Sequence, residues 1–447
     1  MCEGFIRQAA ATSIGLGMPN IPVALVPGHV GAQSDEELRR NILEVTVERV
    51  IANLTRAPAQ AGEQPEPQPR DVIFRGDFDA VNRCFHENEW SDGLPIVPPT
   101  REKVEAFLAF TDRDPDKVLG ILLPDNRAAT VWSIAVNGVM AGCRPEYMPI
   151  LVALIEAMAD PRYGVEHSGN TPGGETLIIL NGPIVKQLGF NYTQGVLRDG
   201  FVPNTSVGRF WRLYLRNVAG FLPHKNDKAT FGNTWRVVLA ENEDVLAKIA
   251  WEPNSVEMGF NAGENTVTIA RYVGDSALSS VSGSTPEQVL PILADGVLKQ
   301  TLWTIVFTVG LTMGTLRPLL VLSPILAETI ARAGWSKADV KSYLYDHARM
   351  PAWQFERQLR DWSQKPIWNL ADEAKLGHIP KVFHESDDPN RMVPIVFKPA
   401  DFMIAVTGDV LRHNAHVFAH NGALGYPVGK RIRLPEGWER RLAGLGK

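Results

Sequence analysis

A proline-rich break at 57–70 divides this 447-residue chain very unequally. It holds Pro58, Pro65, Pro67 and Pro69 among Ala, Gln, Gly and Glu without apolar periodicity, the composition of a semi-stiff exposed linker. The piece before it reads as helix, strand, helix. Phe5, Ile6, Ala9, Ala10 and Ile14 recur at helical spacing, Gly15 and Gly17 stop that helix, and 21–26 is a short apolar strand closed by Pro27-Gly28-His29. Ser34 and Glu37 form an S-x-x-E start signal ahead of Leu38, Ile42 and Val45. One strand and two helices cannot enclose a core, because each apolar face needs more sheet to pack against. Residues 1–55 therefore predict only part of a small domain.

The remainder reads as a large domain over 71–385 and a C-terminal extension over 386–447, with 56–70 as the linker. Helices are expected at 130–141 and 148–159, and strands at 176–180, 236–240, 266–272 and 402–406. An internal echo supports this reading: 177–183 and 319–324 each run as apolar strand and proline turn into a helix that ends on Gly-aromatic, at Gly189-Phe190 and Gly334-Trp335. The expected fold class is α/β, a partial small α/β domain linked to a large mixed α/β domain. Ligands of such βα units gather at the carboxyl ends of the strands, near Asn181 and Ser323.

Composition narrows the function classes. Lys plus Arg total 45 against 50 Asp plus Glu, a net charge of −5, so no nucleic-acid partner is expected. Hydrophobic residues at 45% and charged residues at 21% exclude global disorder. Cys2, Cys84 and Cys143 are too few and too scattered for a disulfide framework, and the first residues lack a secretory pattern, so a reducing cytoplasm is expected. The most apolar stretch, 301–316, carries five threonines and is closed by Arg317-Pro318; it reads as core, with no membrane partner.

The richest local pattern is 204–216. Asn204 or Thr205 is placed to cap a helix whose Arg209, Arg212 and Arg216 fall within about one sixth of the helical circle, opposite Val207, Trp211, Tyr214 and Val218. Free amides at that helix start, with Arg209 in the first turn, suit a carboxylate or phosphate; the same stripe also reads as a solvated basic face. Glycine turns at 171–174, 231–233 and 282–285, the last containing Ser284, have backbone amides to offer an anion but lack nucleotide-loop spacing.

His413, His416 and His420 form H-x2-H-x3-H, which on a helix puts three imidazoles on one face, a ligand set for a transition metal ion, with Asp409 one turn earlier. A polar face without metal fits the same residues. The group from His86 to Glu89 followed by Asp92 reads as a helix end before Gly93. Cys143, next to Arg144 between two helices, reads either as a reactive thiol or as a buried inert one, and His167 is a base for it if folding brings them together. The hydrolase elbow, zinc-protease and C-x-x-C templates are all missing.

Glu3-Gly4-Phe5, 9–17, Pro19-Asn20-Ile21-Pro22, Val26-Pro27-Gly28-His29 and the capping segment 34–38 resemble the second half of the UGSC-motif (seleno)protein family domain. The larger region resembles the domain often fused after it, through 90–100, 141–146, Asn181-Gly182-Pro183 and 333–337. The resemblance implies a small α/β domain whose Gly-Ser-Cys motif, with cysteine or selenocysteine, carries thiol chemistry. Here that motif and its strand are absent, and Cys2 does not replace them. The family's histidine after Ser323-Pro324 is replaced by Ile325 and Leu326, and its glycine-rich C-terminal strand end by the histidines at 413–420.

These readings predict an enzyme subunit acting on a small anionic substrate, with Cys143 and His167 as reactive groups and Asn181, Asn204, Thr205, Arg209 and Ser284 binding substrate. His413, His416 and His420 are expected to hold a metal. A metal Lewis acid and a base suffice for hydration or elimination, so lyase or hydratase chemistry is favoured. Two alternatives stand beside it: a thiol-dependent oxidoreductase completed by a short cysteine-bearing partner chain, and a non-catalytic scaffold subunit of such a hetero-oligomer.

Overall fold

A computed structural model describes residues 1–56, 68–279, 281–361 and 368–444, so most of the proposed linker, 57–67, lies outside the described residues. The chain is α/β. It divides into two compact units that interleave in sequence: 1–148, 165–173 and 210–230 form the first, and 149–164, 174–209 and 231–447 the second. The break at 56–70 therefore falls inside the first unit.

In the first unit, helix Phe78–Glu87 starts where Asp77 Oδ1 accepts the Ala80 amide at 2.8 Å, and helix Val131–Met140 starts at a reciprocal Thr130/Ser133 capping pair. Between them a hairpin pairs β1 (Val118–Leu122) with β2 (Arg127–Thr130). The capping box expected at Ser34 and Glu37 forms and opens a helical run, Asp35–Asn41 continuing through Ile42–Thr46 and Val47–Thr55. The strand expected at 21–26 does not form. Among the described residues that segment makes one isolated bridge, Cys2 to Val26, and pairs with no strand that would complete a ladder. Among the described residues of 1–55 only Ser13 is buried.

The second unit is built on seven strands: β3 (Glu175–Asn181), β4 (Val238–Ala240), β5 (Thr266–Leu278), β6 (Leu319–Leu322), β9 (Met403–Val406), β10 (Ala415–His420) and β11 (Val428–Arg431), with β7 (Arg349–Pro351) and β8 (Met392–Pro394) as a separate pair. Their order is β4-β3-β5-β10-β6-β9, with β11 on β5. The pairs β3/β4 and β6/β9 are parallel and the others antiparallel. Thirteen-residue β5 pairs with β3 along 266–272 and with β10 along 272–278, and the sheet curls. Alternation along the strands buries two faces. Leu320, Leu322, Ile404, Val406 and Val417 join a large core with helices Pro286–Thr301, Pro324–Arg332 and Lys337–His347, while Leu177, Ile179, Tyr272, Val321 and Phe418 form a smaller one under Trp235. Residues 301–316 pack largely as core: Thr301, Ile305, Val306, Thr308, Val309 and Leu316 are buried. Among the described residues one helical run, Pro286–Phe307, is long and apolar enough to cross a membrane, and 56% of its apolar window is buried within the chain.

Candidate functional site

The carboxyl ends of four strands converge on Glu241, the residue after β4. Asn181, which ends β3, donates through Nδ2 to Glu241 Oε2 at 2.8 Å. The amide of Val406, which ends β9, donates to Glu241 Oε1 at 3.1 Å, and the next amide, Thr407, donates to Leu322 O at the end of β6. Thr407 Oγ1 donates to Ala240 O at 2.7 Å, which ties the two sheet edges β4 and β9 together. This joining of edges is what removes Glu241 from water; its side chain is 0% exposed.

Glycine fixes the approach at Asn181. Gly182 has φ +98°, and a Cβ there would lie 2.6 Å from Glu264 O, so only glycine lets the chain turn sharply after the strand. The turn aims the Gly182 amide and Asn181 Nδ2 at Glu243 Oε1, at 2.8 and 2.9 Å.

The positive partner comes from the helix that follows the second unit of the echo. Ser336 and Asp339 form a reciprocal capping box, so helix Lys337–His347 begins at Lys337. Its buried stripe is Lys337, Val340, Lys341 and Leu344, an i, i+3, i+4, i+7 pattern with lysine in two places where apolar side chains are usual. Lys337 Nζ donates to Ile404 O at 3.1 Å and lies 3.7 Å from Glu241 Oε1, and Lys341 Nζ lies 2.8 Å from Glu257 Oε1. Burial raises the Glu241 carboxyl above its ordinary value, opposed first by the Lys337 charge and then by the bonds from Asn181, Asn254 and Val406. A carboxyl held towards its protonated form beside an ammonium is a proton-transfer pair in chemical type.

The other anticipated site residues are differently placed. Helix Val202–Tyr214 begins before Asn204, so neither Asn204 nor Thr205 caps it. Asn204 is fully buried: its Oδ1 accepts the Asn191 amide at 2.8 Å, and its Nδ2 donates to Asn191 O and Val238 O. Thr205 Oγ1 accepts the Gly200 amide. Arg209 is half-buried; the rest of the stripe is not a solvated face, since Arg212 pairs with Asp227 at 3.4 Å and Arg216 Nε donates to Glu89 O at 2.7 Å. Val207, Trp211, Tyr214 and Val218 are buried as their arc predicts. Ser284 is exposed, its amide bonded to Gln288 Oε1 at the start of helix Pro286–Thr301, and Ser323 Oγ accepts the Asn414 amide.

In the first unit, Cys143 is buried, with its amide bonded to Gly138 O, whereas His167 is half exposed with Glu166 Oε1 3.9 Å from its ring. The expected helical face of imidazoles is corrected: His416 and His420 lie on strand β10 and His413 in the loop before it. At strand rise, His416 and His420 are about 13 Å apart. His416 Nε2 is 2.6 Å from Asp275 Oδ2, while buried His420 accepts the Arg317 amide on Nδ1. Burial, Arg317 and Arg271 push the His420 imidazole down to about 3. Among the described residues no three His, Cys, Asp or Glu side chains stand together as a metal-ligand group.

Glu241 and Asn254 escaped the sequence reading, and Lys337 entered it only within the resemblance phrase 333–337, with no role; the lysines inside an otherwise apolar helical stripe were the available signal. Compared with models of known protein families, with curated proteins and with solved structures, the chain matches none.

Proposed function

We propose that the second unit carries a proton-transfer centre of lyase or hydratase type for a small anionic substrate, built on Glu241 and Lys337. The observation that supports it is this buried acid–ammonium pair where four strand ends meet, the position at which α/β sheets hold ligands. In this reading Lys337 holds the substrate carboxylate and Glu241 passes the proton, while Asn181 orients Glu241. The dispersed imidazoles shift the chemistry from a metal to this pair. Two phrases of the UGSC resemblance supply Asn181 and Lys337, and three free cysteines suit a reducing, cytoplasmic compartment. The test is incubation of the chain with a panel of small hydroxy and α,β-unsaturated carboxylates, read by proton NMR for gain or loss of water. Turnover lost in a Glu241→Gln protein that remains folded supports the reading, and turnover retained in that variant overturns it.

A second reading has its own observation. Ile42, Leu43, Val47, Val50, Ile51 and Leu54, all on the helical run 35–55, are exposed, Leu54 by 81%. An apolar stripe left in water favours a covering chain, as expected for a thiol-dependent oxidoreductase completed by a cysteine-bearing partner or for a scaffold subunit. Co-purification of a short cysteine-containing chain, lost in Leu54→Lys, supports it; full activity of the chain alone counts against it.

A further inference from the structure

Beside Glu241 the second unit buries oxygen atoms that meet no partner among the described residues. Asn181 Oδ1, Asn254 Oδ1, Ser255 Oγ, Thr266 Oγ1 and Thr268 Oγ1 are all sealed from solvent and unbonded. Leaving such groups unsatisfied costs about 1–3 kcal/mol each, so a structure retains several together only when something fills the gap.

Their positions are linked. Asn181 stands directly opposite Thr266 across β3 and β5, and Thr268 is two residues on, on the same face. The Asn254 amide and Asn181 Nδ2 share one acceptor, Glu241 Oε2, at 2.7 and 2.8 Å, which brings helix Asn254–Glu257 with Ser255 to the same place. Asn181 gives its Nδ2 to Glu241 and Glu243, and this fixes the amide with Oδ1 facing away from both carboxylates.

The donor set is selective. It contains two amide oxygens, which only accept, and three hydroxyls, and no unbonded nitrogen. In the resting protein the Glu241 oxygens take hydrogen bonds from Asn181, Asn254 and Val406, so an ion there is expected to draw on the neutral oxygens instead. Neutral oxygen ligands without a free carboxylate suit a singly charged ion better than Ca²⁺ or Mg²⁺, which are held mainly through carboxylates.

We propose that these oxygens bind one alkali-metal cation, sodium or potassium, which locks helix Asn254–Glu257 onto β3 and β5. The proposal is independent of the lyase reading, since it concerns the resting protein without substrate.

The full chain is desalted into choline chloride and its thermal midpoint followed as NaCl or KCl replaces choline at constant ionic strength. A saturable upward shift of roughly 3 °C is expected for one alkali ion, with about one thallium(I) retained per chain. Thr266→Val removes one hydroxyl at constant shape. It should match or exceed the wild type in choline and lose the alkali shift, and Ser255→Ala should behave likewise if the first variant does not fold. Identical midpoints in NaCl, KCl and choline chloride without retained thallium overturn the proposal, leaving buried water as the occupant; so does a full alkali shift in both variants.

Discussion

Lys337 Nζ lies 3.7 Å from Glu241 Oε1 with the two side chains only 6% and 0% exposed, so each offsets part of the other's cost of leaving water. The two residues are far apart in sequence and are brought together only when sheet edges β4 and β9 join. Removing one member leaves an uncompensated buried charge, whereas removing both leaves an apolar site.

Lys337→Met is therefore expected to lower stability by about 3–5 kcal/mol, and Lys337→Met combined with Glu241→Leu to recover most of that loss. Urea unfolding of the single and double variants checks this. A double variant as unstable as the single would mean that Glu241 is held chiefly by its amide donors, not by the lysine.

His420 gives a prediction with a definite pH direction. Its folded value of about 3 lies below the 6.5 of an unperturbed imidazole, so between these limits the unfolded chain binds the extra proton. The stabilisation is complete above pH 6.5 and is lost as pH falls towards 3, amounting to about 2 kcal/mol lost by pH 5. Denaturant midpoints of wild type and His420→Gln at pH 7.5 and pH 5 isolate the effect, since the variant cannot take up that proton. Parallel acid losses in the two proteins would count against it.

How far the sequence could be read depended on whether a signal was local. β3 stood out as an apolar run ending at Asn-Gly-Pro, and the structure gives Glu175–Asn181. Helix Val131–Met140 likewise lies within one turn of its expected ends. Glu241 carried no local signal, because its burial depends on β9, more than 160 residues away. The histidine spacing was compatible with either helix or strand. Val417-Phe418-Ala419 inside the cluster favours a strand by its β-branched and aromatic content, and tertiary pairing with β5 and β6 settled it. Asn204 misled for another reason: cap chemistry and a buried backbone tie use the same amide, and only the position of Val238 distinguishes them.

Asn204 is accordingly a stability residue. Its side chain satisfies an amide and two carbonyls in a fully buried setting, so Asn204→Ala is expected to cost about 2–4 kcal/mol. Asn204→Asp should be no better, because a buried carboxylate cannot donate to Asn191 O and Val238 O. Thermal unfolding checks the loss. An Asn204→Ala protein of wild-type stability that has lost only anion binding would restore the capping role expected from sequence.

The exposed stripe on helix Val47–Thr55 gives the last test. Val47, Val50, Ile51 and Leu54 fall at i, i+3, i+4 and i+7, the spacing of a packed face, yet all four are exposed. Such side chains contribute little to the folding of the chain they belong to, because a group exposed before and after folding gains no burial. Ile51→Lys with Leu54→Lys should therefore change unfolding free energy by no more than about 0.5 kcal/mol. The same pair should abolish any association that covers the stripe and reduce binding of an apolar dye. Light scattering, dye fluorescence and urea unfolding on one preparation separate the outcomes. A large stability loss in a strictly monomeric sample would mean that the stripe packs within its own chain in solution, and the covering partner would then be unnecessary.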